Sequence, residues 1–164
     1  MVGQVATVVI ILLLGLAAIA VALVLGMRAK SPFARDFFIW FTRTIANPMA
    51  MRTAGTPGAE ASVIRHRGRK SGRAYETPVG VVATDGGFVI ALPYGSRANW
   101  LRNVLANGSA TIVHEGQTYA VDRPQLIPLV DVANLFSASD RRGFRLFSVD
   151  ECLQVRNAEQ AEVQ

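Results

Sequence analysis

The sequence predicts a mainly β, α+β domain: an antiparallel barrel with helices packed outside it, preceded by one N-terminal transmembrane helix. Three observations lead there. An uncharged apolar run fills residues 5–26. From Ala59 onward, short apolar or alternating runs are separated by glycine and Asp-Gly turns, which is how strands that arrive as hairpins read. One strong helical stripe, around Trp100, interrupts them. A doubly wound parallel sheet does not fit, because helices do not alternate regularly with strands and no GxGxxG follows a strand.

The apolar run comes first. From Val5 to Gly26 there is no charged residue, and Thr7 is the only polar side chain. At 1.5 Å rise per residue the run makes a helix of about 33 Å, against a hydrocarbon core of about 30 Å. Most of its residues are Ile, Leu or Val, each favouring insertion by roughly 0.3 to 0.6 kcal/mol near a helix centre. A secretory signal peptide would carry positive charge ahead of a shorter apolar stretch, and a buried core helix would show a polar face; neither feature is present. Residues 1–30 therefore read as a membrane anchor. Arg28, Lys30 and Arg35 follow it closely, so the positive-inside rule puts the remaining chain in the cytoplasm of a single-pass protein of the cell membrane. The single cysteine, Cys152, cannot form an internal disulfide, which agrees with a reducing compartment. With His66 and His114 the only histidines, the composition argues against a structural zinc site, and no metal is predicted.

Residues 31–58 form a second unit. In "SPFARDFFIWFTRTIANPMAM", Phe33, Phe37, Phe41 and Ile45 recur at helical spacing, with Phe38 and Trp40 beside them. This is an amphipathic helix that either lies on the membrane surface or caps the domain core. "NP" at 47–48 is expected to end it, and "GTPG" at 55–58 to supply a linker.

The barrel occupies 59–158. "ASVIRH" is its first strand, followed by a glycine turn at 68–72. "AYETPVGVVAT" is the second and "FVIALPY" the third, with "DGG" at 85–87 between them. In "GSRANWLRNVLANG", Trp100, Leu101, Val104 and Leu105 share one helical stripe, and Gly108 suits the position just past the helix end. "SATIVHE", a turn at Glu115-Gly116, and "TYAVD" make a further hairpin. A short helix is expected within 128–137, and "ECLQVR" as the last strand, with 159–164 left as a tail.

Three groups of residues could carry chemistry. The stretch "RHRGRKSGR", 65–73, is strongly basic, has no acid, and contains a loop of Gly68, Arg69, Lys70, Ser71 and Gly72. Flanking glycines let the backbone bend and point N–H groups inward, Arg offers a fork, Lys a point charge and Ser a hydroxyl. These are the parts of a phosphate cradle, though the GxxxxGK[ST] spacing is absent, and an ordinary hairpin turn bearing solvated charge fits the same residues. Trp100 and Asn103, three apart on one helix, could wall and hydrogen-bond a flat heteroaromatic ring, or Trp100 could be core and Asn103 a helix-end cap. The loop "PYGS", 93–96, precedes that helix, whose free N-terminal N–H groups would suit an anion or a reduced, negatively charged ring. Net charge +5 and a pI near 10.1 fit an anionic partner of some kind: lipid, nucleic acid or small ligand.

The order of these features, "GRKSG", "ETPVGVVATDGGFVIA", "YG" and "NWLRNVLANG" from about Val63 to Val121, resembles the deazaflavin-dependent nitroreductase and quinone reductase family of actinobacteria; "VDECLQVR" resembles that family's last strand. The resemblance implies a split β-barrel binding coenzyme F-420, an 8-hydroxy-5-deazaflavin with a phosphate and an oligoglutamate tail. By position, Arg69, Lys70 and Ser71 would hold the phosphate and tail, with Gly68 and Gly72 shaping the loop. Pro78, Val79 and Gly80 would run beside the ring, Tyr94 and Gly95 would lie near its reacting edge, and Asn99, Trp100 and Asn103 would close the helix side.

The implied activity is hydride transfer from the reduced deazaflavin to a quinone-like or other lipophilic acceptor such as menaquinone, with Tyr94 or water delivering the proton. The chain departs from the family pattern at His66 and Arg67, where relatives often have threonines, and at Gly80 and Gly95, where some have an aromatic residue and a lysine. It also has no tyrosine after Tyr119, whereas members that reduce nitro drugs use C-terminal tyrosines. Two alternatives accompany this reading: a barrel of the same type using FMN, and a non-enzymatic membrane-tethered module whose basic loop binds anions. The glycines flanking 69–71 and the scarcity of aromatic residues beside the loop argue against nucleic acid.

Overall fold

The computed structural model describes residues 2–29, 31–93 and 95–158. Lys30, Tyr94 and the 159–164 tail lie outside the described residues, as do the side chains of Arg35 and Phe38.

The apolar run is one helix, α1 (Val2–Arg28), and none of its most apolar stretch is buried against the rest of the chain. It is long and apolar enough to cross a membrane, and the buried-core alternative is overturned. The next helical stretch differs from expectation at its end. α2 (Pro32–Phe41) runs through a π-helical turn (Thr42–Ala46) into α3 (Asn47–Ala50), so Asn47-Pro48 does not stop it. Pro48 lacks an N–H, and its ring would crowd the carbonyl one turn back in a regular helix. The wider π turn just before it, closed by the Asn47 N–H to Thr42 O, accommodates the ring. Phe33 is 78% exposed and Trp40 55%, so this helix does not cap the core.

Seven antiparallel strands form one sheet: β1 (Ser62–Arg67), β2 (Ala74–Val79), β3 (Val82–Thr84), β4 (Gly87–Ala91), β5 (Ser109–His114), β6 (Gln117–Pro128) and β7 (Glu151–Asn157). Their spatial order is β2-β1-β5-β6-β7-β4-β3. The two edge strands, β2 and β3, are consecutive in sequence and separated only by Gly80-Val81. The run predicted as one strand thus leaves β1 at Val79 and joins β4 at Val82, and this partner exchange closes a split barrel. The remaining helices, α4 (Asn99–Asn107), α5 (Leu129–Val132) with a 3-10 turn (Ala133–Leu135), and α6 (Ala138–Phe147), flank the sheet.

β6 is longer than its predicted "TYAVD" segment because a bulge between Asp122 and Gln125 lets it continue. Arg123 takes φ +49 there, and Pro124, which cannot donate a ladder hydrogen bond, is absorbed in the irregularity. The first half of β6 pairs with β5 and the second with β7.

Apolar alternation sets the core. Ile64, Phe88, Ile90, Ile112, Val121, Leu153 and Val155 point into the barrel, where Leu101 and Val104 of α4 complete the packing. Val89 and Cys152 face the other side of the same strands and meet Phe136. β4 is buried on both faces, which is why it reads as a continuous apolar run. α6 was not anticipated. Its polar sequence hides a capping box, in which the Ser137 side chain accepts the Asp140 N–H and Asp140 accepts the Ser137 N–H. Phe144 anchors the helix edge-on to Phe136 at 5.0 Å.

Candidate active site

The basic loop is a closed hairpin between β1 and β2. The Gly68 N–H donates to Arg73 O and the Gly72 N–H to Gly68 O, both at 2.8 Å. Gly72 has φ +64, a left-handed conformation that glycine adopts without strain. At Gly68 a Cβ would lie 2.5 Å from Ser71 Oγ and 2.8 Å from the Tyr75 ring, so only glycine leaves room for both.

The loop is fastened to α4. Asn103 Oδ1 accepts from the Arg69 backbone N–H at 3.2 Å and from the Arg69 guanidinium at 2.8 Å. The Gly68, Arg69 and Gly72 N–H groups are committed inside this structure, which leaves the Lys70 and Ser71 N–H groups and the side chains to meet an anion. Those side chains suit the task. Arg65 pairs with Glu76 at 2.8 Å, but among the described residues no carboxylate pairs with Arg67, Arg69, Lys70 or Arg73. Four uncompensated cations on a braced hairpin fit a ligand with a phosphate and several carboxylates. The cradle is therefore chemically apt for coenzyme F-420.

His66 is the residue that sequence reasoning left without a role. β1 lies between β2 and β5, and His66 is buried, 7% exposed, on the same face as Ile64. Its Nδ1 lies 3.3 Å from Asn103 Nδ2, so it is the acceptor there, and the proton belongs on Nε2, which faces Thr77 Oγ1 at 3.4 Å. Burial lowers its pKa from the ordinary value, with a backbone hydrogen bond at Arg67 opposing the shift. Tyr75 stacks on the imidazole at 5.7 Å and reaches Ser71 Oγ through its hydroxyl at 3.4 Å. Asn107 ties the other strand end, donating to Arg67 O at 2.8 Å. The in-out alternation of Ile64, Arg65, His66 and Arg67 was the signal that could have placed His66 inward.

The remaining predicted residues are spread over the end of β2, the loop before α4 and the first turn of α4. Val79 is buried with its side chain in the core, so only its backbone and the exposed Gly80 front open space; nothing lies within 4 Å of a Cβ built at Gly80. Pro78 is half-buried opposite Val63. Trp100 is half-buried and packs against the same apolar cluster as Val79 and Val81, closer to the core alternative than to a free ring wall. Asn99 is exposed at the first turn of α4, where Ala98 provides no side-chain cap and the first turn holds no acid. The N–H groups of that turn thus carry the helix's partial positive charge uncompensated.

Gly95, with φ +69, lines a cavity of about 850 Å³ together with Ser96, Arg97, Ile127, Phe147 and Ser31. Arg97, a cation in the cavity wall, was not singled out from sequence. Tyr94, the residue expected to deliver a proton, lies outside the described residues. α4 rises about 13 Å over its nine residues and links the two regions, its N-terminus following the cavity loop and its Asn103 holding the cradle.

Residues 39–130, more than half of the chain, match the family model described as F-420H(2)-dependent quinone reductase. Among curated proteins none matches the sequence. Similar solved structures include a protein described as a domain-swapped dimer, 13% identical with a TM-score of 0.47, covering 74% of this chain and 98% of its own. An F-420-H2 dependent reductase (FDR-A) is 12% identical with a TM-score of 0.41, covering 58% and 94%. HutZ, the heme storage protein from Vibrio cholerae, is 11% identical with a TM-score of 0.44, covering 62% and 83%. On the strength of the family match, the chain belongs to the F-420H(2)-dependent quinone reductases and is an oxidoreductase that uses coenzyme F-420.

Proposed function

We propose that this reductase is anchored in the membrane by residues 1–30 and delivers reducing equivalents to a quinone-like acceptor drawn from the bilayer. Residues 31–58 act as a surface helix and linker, and 59–158 as the cofactor-binding barrel. The observation that carries the reading is the position of Ser31. It lies three residues beyond the end of α1 and lines the same cavity as Gly95 and Ser96. The cavity thus lies close to the end of α1, which gives a lipophilic acceptor leaving the bilayer a short path to it. The exposed Phe33, Trp40 and Phe41 of α2 support an interfacial placement, since aromatic side chains favour the headgroup level. Arg28 at the end of α1 favours a cytoplasmic barrel.

Reduced coenzyme F-420 supplies the hydride when bound. The chain's residues bind and orient. Lys70 and the donors left on Arg69 hold the phosphate and tail, and Asn103 fixes the direction of the Arg69 fork. Gly80 would leave room for a flat ring near the partner-exchange point, and the α4 N-terminus would favour any negative charge brought close to it. Water or Tyr94 supplies the proton.

The test is acceptor reduction by the full chain in lipid discs, comparing a menaquinone analogue with a water-soluble quinone of similar potential. The reading expects faster turnover with the lipophilic acceptor, and an advantage that disappears in detergent. Equal rates with both acceptors in discs, from protein shown to be cofactor-loaded, would count against a membrane-borne substrate.

A further inference from the structure

α6 touches the candidate site only through Phe147 at its end, yet it carries the densest positive charge outside the 65–73 loop. Arg141, Arg142 and Arg145 are exposed, as is Leu146. The one acid of the helix, Asp140, is engaged in the N-terminal cap with Ser137. Arg141 donates to Phe136 O and Ala133 O and so clasps the preceding turn, while no carboxylate pairs with Arg142 or Arg145 among the described residues. A solvated polar face would explain the charge, but not its location.

The location is set by a second contact. Arg28, in the last turn of α1, donates to the Arg145 carbonyl at 3.3 Å. The end of the apolar helix and the end of α6 are therefore neighbours. If α1 spans the hydrocarbon, its last turn marks the headgroup layer, and Arg28 and Arg145 come close to the same depth, with Arg142 about one turn back on α6. Val130, 80% exposed, belongs to the same face, beside an apolar cavity of about 570 Å³ that it lines with Leu129, Phe144, Arg141 and Arg145. Asp150 is the one carboxylate in that cavity's wall.

We propose that α6 is an interfacial helix that docks on anionic phospholipid. Arg28, Arg142 and Arg145 bind headgroup phosphates, and Val130 and Leu146 dip toward the acyl boundary. The inference rests on the membrane-anchor reading. Guanidinium groups match phosphate oxygens in a two-point geometry, and an anionic leaflet draws cations within a Debye length of it. The exposed apolar residues favour a bilayer over a nucleic acid, which would leave them in water. Docking would also have a functional consequence. Phe147 ends α6 and lines the 850 Å³ cavity with Ser31, so a helix held on the headgroups keeps that cavity turned to the membrane.

Hydrogen–deuterium exchange on the full chain tests this, in discs of phosphatidylcholine alone and of phosphatidylcholine with phosphatidylglycerol. The expected result is a protected α1 in both discs, with 138–147 exchanging at least about tenfold more slowly in the anionic discs. High salt should abolish the difference. A near-surface cation contributes about fivefold to partitioning, so Arg142→Gln with Arg145→Gln should abolish most of it too, both positions being exposed and tolerant of change. Equal exchange of 138–147 in the two lipids, with α1 protected, overturns the docking and leaves the anchor intact. An unprotected α1 overturns the anchor; protection of 138–147 by anionic lipid would then still support docking, and its absence would overturn both.

Discussion

Arg69 donates twice to the same oxygen, Asn103 Oδ1, once from its backbone N–H and once from its guanidinium. One carboxamide on α4 thereby fixes both the path of the basic loop and the direction of its main cation, while its own amide group faces the buried imidazole of His66. Replacing Asn103 with Ala leaves Arg69 and His66 without these partners. We expect a stability loss of about 1–3 kcal/mol in urea denaturation. We also expect roughly 5- to 20-fold weaker binding of coenzyme F-420, because the fork is no longer pre-organised. Unchanged affinity in a folded variant would separate Asn103 from the cofactor.

His66 makes stability pH-dependent, with a definite sign. Burial holds its folded pKa below the ordinary value of 6.5. Its contribution is fully present above that unfolded value and is lost as pH falls through the lowered folded one. The urea midpoint should therefore be flat from pH 7 to 8 and decline below about 6.5. His66→Gln should flatten part of that decline; an identical acid slope in the variant contradicts the assignment.

Two glycines of the predicted site should behave differently. Gly68→Ala places a Cβ against Ser71 Oγ and Tyr75, and should cost about 1–3 kcal/mol in thermal or urea melts. Gly80→Ala meets nothing within 4 Å and should change stability by less than about 0.5 kcal/mol. If the ring lies along Gly80, the same methyl should weaken cofactor binding without weakening the fold. A stability-neutral Gly80→Ala that also binds normally would move the ring elsewhere.

Cys152 is fully buried between β4 and β6, and its thiol is pushed up to about 11 by desolvation. Only the thiolate is reactive, so native protein at pH 8 should resist iodoacetamide for hours and react promptly in urea. Rapid native labelling would mean that this side of the barrel opens readily.

The barrel was legible because its strands carry period-2 or continuous apolar patterns between strong turns, as in "ASVIRH" and "FVIALPY". What escaped depends on distant partners. The break at Gly80-Val81 arises because one segment pairs with β1 and then with β4, and no local pattern announces a change of neighbour. β6 passes through Pro124 only because a bulge absorbs it. Pro48 continues a helix through a π turn that the dipeptide alone contradicts. At the candidate site, the basic residues and glycines of 65–73 were plain in the sequence, but the Asn103 bridge joins positions 34 apart and needed the fold. His66 was visible as an inward position of its strand, and was overlooked because arginines flank it.

We propose that the braced hairpin 68–72 binds the anionic part of coenzyme F-420. A fluorescence titration of the cofactor against wild type and an Arg69→Ala, Lys70→Ala variant tests it most directly, with FMN and a deazaflavin lacking phosphate and tail as controls. Each lost charge-assisted hydrogen bond is worth about 1.5–3 kcal/mol, so the variant should bind the intact cofactor at least about 100-fold more weakly. It should bind the tail-less deazaflavin nearly as wild type does, and FMN should compete with neither. Equal affinity of variant and wild type for the intact cofactor would mean that the phosphate and tail bind elsewhere on the protein.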